Sequence, residues 1–236
     1  MKQVLIMPVL ATALFVAACG DGPTTVDTRA QVRFFNVVWN ATGSIGFTMN
    51  GQFATGSALA YAQSTQTCST LDAGTTSFGI GLANAGGTAL SGPTLATLND
   101  QTIAAGGDYT VLAGGNVIHP SVVLLDNSFS GTLGTNQAAV RFVNLAASSE
   151  FPFTVLKGTA GSGSTTVVQS NIAFRSATPF SSVTSGSNAY SIMYGQDIAI
   201  SGNDATLNLQ GGTVTTIVIV RNPLTGNFNL VAVPSC

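Results

Sequence analysis

The chain has 236 residues, 45% of them hydrophobic, and a net charge of −2, so it can bury one large core or two modest ones. Charged residues make up only 7%, against about 25% in an average soluble domain. That balance excludes charge-rich disorder and gives no electrostatic case for nucleic acid or an anionic membrane as partner. The polar positions are filled by Ser, Thr, Asn, Gln and Gly, which suit exposed β faces and turns better than solvated helices.

Lys2 gives the chain a short positive start, and residues 4–18 are apolar apart from Pro8 and Thr12. Such a run is shorter than the roughly 20 residues a helix needs to cross a bilayer, and matches the apolar region of a signal peptide. It ends in Val16-Ala17-Ala18-Cys19-Gly20. Small residues directly before a Cys resemble a bacterial lipobox. The resemblance implies diacylglyceryl transfer to the Cys19 thiol, cleavage after Ala18 and acylation of the new amino terminus. Two or more acyl chains hold a protein stably on a membrane. The alternative is an ordinary secretory signal with an incidental Cys. Gly20, where an Asp would signal retention, resembles sorting to the outer membrane. The expected organisation is a lipoprotein signal peptide over 1–18 and a flexible tether over 19–30. The expected partner is the membrane, through the anchor at Cys19, and the expected location is the bacterial cell envelope, periplasmic or surface-facing.

Gln31-Val-Arg-Phe-Phe-Asn-Val-Val38 returns as Ala139-Val-Arg-Phe-Val-Asn-Leu-Ala146. The shared Val-Arg-Phe-x-Asn predicts the first strand of a domain used twice, over 31–136 and 138–236. In the first copy, 31–39 reads as the opening strand. Ile45, Phe47 and Met49 alternate toward Asn50-Gly51, a strong hairpin signal. Residues 59–68 read as a strand or edge, and 71–82 as a Gly turn and strand. A loop at 84–88 and a strand ending at Ile103 follow. Gly106-Gly107 then opens a buried strand, and 117–125 closes the copy. Short strands at about ten-residue spacing with Gly or Asn turns predict a β-sandwich. No helical period occurs outside the signal.

Val-Arg-Phe-x-Asn, Ala73-Gly74-Thr75 before a strand, Ala105-Gly-Gly-Asp-Tyr-Thr-Val111 before the next and Val122-Val-Leu-Leu-Asp126 at the end resemble the domain of unknown function 4397. The resemblance covers most of 31–145 and rests on the order and spacing of these motifs. It implies a bacterial extracytoplasmic protein with tandem immunoglobulin-like or transthyretin-like sandwiches. It supplies no catalytic residues and no cofactor.

The second copy restarts at 140–145. Ile172-Ala-Phe174 parallels Leu59-Ala-Tyr61, and Gly211-Gly212 before 213–220 parallels Gly106-Gly107 before Tyr109. Residues 189–194 and 228–233 are further strands. The alternative is that both halves close one larger sandwich. With Cys19 assigned to lipid, Cys68 and Cys236 are expected to pair in an oxidising compartment, tying the last residue to the first copy.

The sequence holds one histidine, His119, where zinc would want three or four convergent ligands. No Gly-x-Ser-x-Gly elbow or calcium loop is present, and Gly79-Ile-Gly81 and Gly161-Ser-Gly163 fall short of a phosphate loop. Glu150 is the sole Glu, and Asp72, Asp100, Asp108, Asp126, Asp197 and Asp204 are expected at turns. Arg33 and Arg141 recur and read as structural, paired with a buried carboxylate or projecting to solvent. Trp39, Phe34, Phe35 and Phe47 read as core in preference to a carbohydrate platform. The expectation is a non-enzymatic binding, adhesion or scaffold module whose partner is an envelope protein or a glycan. The alternative is an enzyme acting on polysaccharide through carboxylates gathered by folding.

Overall fold

The computed structural model describes residues 28–54, 56–146, 152–159, 164–194 and 204–236. The expected signal peptide, Cys19, most of the tether, Glu150 and Asp197 therefore lie outside the described residues. Among the described residues the chain forms strands and no helix. In order these are β1 (Ala30–Asn36), β2 (Ile45–Met49), β3 (Gln52–Phe53), β4 (Gln63–Ser64), β5 (Ser69–Leu71), β6 (Gly74–Leu82), β7 (Ala96–Ile103), β8 (Asp108–Gly115) and β9 (Pro120–Asp126). They continue as β10 (Gln137–Asn144), β11 (Phe153–Lys157), β12 (Thr166–Ile172), β13 (Ser181–Thr184), β14 (Gly186–Tyr194), β15 (Ala205–Leu209), β16 (Val214–Arg221) and β17 (Phe228–Pro234).

Four sheets result. In the first half, β3-β2-β6-β7 faces a sheet in which β1 lies between β8 and the short β4 and β5, with β9 outside β8. In the second half, β12-β11-β14-β15 faces β13-β10-β16-β17. The two halves share their pairings: β1 runs parallel to β8 as β10 does to β16, with Phe34 beside Val111 and Phe142 beside Ile217. Each half has its own core, one around Phe34, Phe47, Phe78 and Val111 and one around Phe142, Phe153, Tyr190 and Ile217. One common core for both halves is thereby excluded, and the architecture is consistent with two β-sandwich domains.

A strand side chain points to the face opposite its neighbour's. Phe34 and Phe35 are 0% and 1% exposed, so both faces of β1 are covered. The same holds for β8, β10 and β16, and explains the unbroken apolar run of residues 217–220 in place of alternation. The motif Asn also has a definite task. Asn36 Nδ2 donates to Leu59 O at 2.9 Å and its Oδ1 accepts from Val38 N at 2.9 Å. Asn144 does the same with Ile172 O at 3.0 Å and Ala146 N at 3.1 Å. The parallel between residues 59–61 and 172–174 is thus one of hydrogen bonding.

Asn50 and Gly51, with φ of 49° and 78°, form the expected hairpin turn between β2 and β3. Gly79 and Gly81 are strand glycines with a packing reason. A Cβ on Gly81 would lie 2.9 Å from Leu90, and one on Gly79 would lie 2.5 Å from Thr48. Leu90 also packs over Gly46, so the segment after β6 lies on a floor without side chains.

Several expectations change. The opening strand ends at Asn36, and Trp39 belongs to an isolated bridge with Asn116. Strands β12 and β13 carry no clear sequence period, because β12 is a mostly exposed strand with register shifts and β13 is four residues long. Asp100 sits within β7 at φ 54°, beside a register shift against β6, and is not at a turn.

Tyr190 is fully buried against Phe142, yet its hydroxyl has no hydrogen-bond partner among the described residues. An unsatisfied buried polar group costs about 1–3 kcal/mol. Tyr190→Phe is therefore expected to leave stability unchanged or raise it by about 1 kcal/mol, read as a higher urea midpoint at constant slope. A fall in the midpoint would show that the hydroxyl is satisfied.

Candidate functional site

A third apolar cluster lies between the two sandwiches, and it is assembled from equivalent positions of the two halves. Phe35 and Val143, Val37 and Leu145, Leu112 and Val218, and Leu125 and Val233 all join it. The inner sheets therefore pack on each other about a pseudo-twofold relation. Gly114 leaves room for Leu145, since a Cβ there would lie 2.9 Å from the Leu145 Cβ.

The recurring arginines cross this seam reciprocally. Arg141, 6% exposed, donates from Nη1 to Asp126 O at 2.6 Å and from Nη2 to Asn127 Oδ1 at 2.5 Å, both in the first half. Its Nε donates to Thr216 Oγ1 at 2.9 Å, and its guanidinium stacks on Phe180 at 4.5 Å from the ring centroid. Arg33 reaches Ser235 O of the second half at 3.5 Å and Thr65 O at 2.7 Å. Neither expected environment is found: the acceptors are carbonyls and amide or hydroxyl oxygens, and Arg141 is buried. Burial pulls the Arg141 guanidinium down to about 10, with Asp126 and Asp108 opposing, so it stays charged at neutral pH. Asn127 completes the network by donating to Asp108 Oδ1 at 2.8 Å.

The Arg33 side of the seam is closed covalently. Cys68 and Cys236 are bonded, with Cα atoms 6.0 Å apart, joining a segment beside β1 to the last residue. Expected pairing and observed pairing agree. At the other end of the seam the Tyr61 hydroxyl donates to the Arg221 carbonyl, and burial raises the Tyr61 phenol. Arg221 stacks on Trp39 at 4.7 Å from the ring centroid.

The molecule thus has a base and a loop-bearing end. The start of β1, Asp72, Asp108, Asp126 and the disulfide gather at the base. Trp39, the β8–β9 turn and the β16–β17 turn gather at the opposite end. A cleft of about 330 Å³ opens beside them, lined by Asn36, Thr42, Ser44 and Tyr61 among others. Val38, Ala41 and Ala60 line it beside the hydroxyls of Thr42 and Ser44, the Tyr61 hydroxyl being engaged by Arg221 O, and none of these lining side chains is charged.

No catalytic set comes together among the described residues. His119 is exposed in the β8–β9 turn, where its amide donates to Asn116 Oδ1 at 2.7 Å. No group of three or more His, Cys, Asp or Glu that could hold a metal occurs among the described residues. Asp108 and Asp126, the carboxylates nearest Arg141, accept from Asn127 Nδ2 and Ser128 N. Phe34 and Phe47 lie in one core and Phe35 in the seam, so the aromatics form no surface platform. The sequence reading missed Asn127, Thr216 and Phe180, because nothing in the chain order marks residues brought together only when two halves dock.

Fold and seam are those of an all-β protein of four small sheets, consistent with two β-sandwiches joined across a buried, arginine-pinned interface. The chain belongs to the family described as Domain of unknown function (DUF4397), whose profile matches residues 30–150, just over half of it. No curated protein matches the chain. Among solved structures it is similar to a crystal structure from Bacteroides ovatus ATCC 8483, of a protein assigned provisionally to cell adhesion. The two share 10% identity over 87% of this chain and 94% of that one, at a TM-score of 0.23. A likeness that distant assigns neither fold nor function.

Arg141→Ala strands buried acceptors at Asn127, Asp126 and Thr216, and is expected to cost about 3 kcal/mol. Arg33→Ala, with fewer contacts, is expected to cost about 1 kcal/mol. Equal losses in chemical denaturation would contradict the asymmetric seam. Replacing both Cys68 and Cys236 by Ser is expected to cost about 2–5 kcal/mol, seen as a lower melting temperature without reductant and no further fall with it.

Proposed function

We propose that the protein is a lipid-anchored, non-enzymatic binding or scaffold module of the bacterial cell envelope. It comprises two copies of one domain, each an immunoglobulin-like or transthyretin-like sandwich. The observation that carries this reading is the fused pair of sandwiches with chain entry and disulfide at one end and turns at the other. An apolar, arginine-pinned seam makes the pair a stiff body, which suits display of one end away from the other. The lipobox-like run ending at Cys19 supports anchorage on the chain's N-terminal side, next to the base. The disulfide supports an oxidising compartment outside the cytoplasm. Asp108, Asp126, Arg141 and His119 all have structural or solvent-exposed roles, which supports a binding role over polysaccharide cleavage. The neutral cleft, with the Thr42 and Ser44 hydroxyls beside apolar side chains, is compatible with a glycan or an envelope protein as partner.

Cys19→Ala is expected to move the protein from the membrane fraction to the soluble fraction and to abolish incorporation of labelled palmitate. A variant still membrane-bound and labelled would overturn the assignment of the anchor. Protease treatment of intact and lysed cells then separates a surface-facing module from a periplasmic one.

A further inference from the structure

An edge strand with open backbone groups invites another strand unless something blunts it. Among the described residues every sheet edge but one is blunted. Strands β3, β4, β5 and β13 run for two to four residues. Strands β9 and β17 each carry a proline, Pro120 and Pro234, which has no amide to donate. Strand β7 breaks register against β6 and holds Asp100 at φ 54°. Strand β12 breaks register twice against β11 and holds Asn171 at φ 56°.

The exception is β15. Its residues, Ala205-Thr-Leu-Asn-Leu209, pair with β14 without a shift, from Ala205 beside Tyr190 to Leu209 beside Gly186. They include no charge, no proline and no residue at positive φ. The second sandwich is also open along this side. In the first half β7 lies along β9, whereas β15 has little contact with β17. Ala205 and Leu207 pack against the second core and are still half-exposed.

We propose that β15 pairs antiparallel with β15 of a second copy, centred on Leu207, so that two outer sheets become one. Main-chain hydrogen bonds drive strand addition of this kind, and side chains select the partner. Directly opposed residues share a face of the sheet. On the core side Leu207 meets its own counterpart and Ala205 meets Leu209 of the second copy, covering the half-exposed apolar surface. On the outer side Thr206 meets Asn208, hydroxyl to amide. One step further out Asp204 meets Gln210, so the single charge of residues 204–210 faces an amide. The strand is thus its own complement, as a twofold interface requires. That match favours a second copy over a foreign strand, to which the edge offers backbone groups alone.

Strand β15 runs toward the base. It leads through Gly211, close against Thr135, into β16, which pairs with β10, and Arg141 of β10 reaches Asp126 at the base. Antiparallel pairing therefore turns one copy end for end against the other. With anchorage at the base, a step that rests on the function proposed above, paired copies extend from two facing membranes.

Sedimentation equilibrium of the acylated full chain in density-matched detergent reads the pairing, and a chain found unacylated is measured in buffer with the same outcomes. The expected mass doubles as concentration rises. Thr206→Lys combined with Asn208→Lys sets like charges opposite each other at exposed positions. It should remove the doubling while circular dichroism stays unchanged, and Thr206→Asp combined with Asn208→Asp should do the same. Mixing the two variants should restore the doubling, since each Lys then opposes an Asp. A wild-type mass that stays that of one chain, doubling that survives in either variant, or a mixture that does not associate overturns the proposal. Vesicles carrying the wild-type protein should cluster. Unclustered vesicles with the doubled mass intact would sink anchorage at the base and leave the pairing standing.

Discussion

The structure depends on a first strand that is covered on both faces. In β1, and again in β10, one side of the strand feeds the core of its own sandwich and the other feeds the seam. Val32 and Phe34 point inward, while Phe35 faces the other half. Neither half could leave the seam face bare, since Phe35, Val37, Leu112 and Leu125 would together form a large apolar patch of the kind stable monomers avoid. Pairing of the sandwiches is therefore a requirement of the sequence, and the four-layer arrangement follows from it.

The seam is symmetric in its apolar part and asymmetric in its polar part. Four pairs of equivalent apolar positions meet in it, and only Val220, whose counterpart is Gly114, stands outside the pairing. The arginines do not match, because Asn127 turns toward Arg141 while its counterpart position holds Ser235, which offers only a carbonyl to Arg33 at long range. Where the polar contact is thin, a covalent one replaces it: Cys236 directly follows Ser235.

Much of the fold was legible because its signals are local. The Asn50-Gly51 turn, the apolar run of 217–220 and the recurrence of Val-Arg-Phe-x-Asn each lie within one short stretch. The roles inside that motif were not legible. Arg33 and Arg141 offered two readings, buried salt bridge or solvent, and the structure shows a third, carbonyl capture across an interface between halves. Strands β12 and β13 escaped because exposed edge positions place little demand on hydrophobic pattern. Trp39 read as core and lies half-buried beneath Arg221, a contact between residues far apart in the chain. The candidate site was the least legible part, since Asn127, Thr216 and Phe180 meet Arg141 only once the two halves dock.

The parallel pairing of β1 with β8 has a mechanical consequence. The chain enters at the base through β1, whose hydrogen bonds to β8 and to the short β4 and β5 run across the strand. A pull on the N-terminal side, resisted at the opposite end, acts along β1 and loads all those bonds at once in shear. They cannot be peeled one after another, as they would be if the same strand hung at a free hairpin edge. Strand order alone makes the entry strand resistant to peeling.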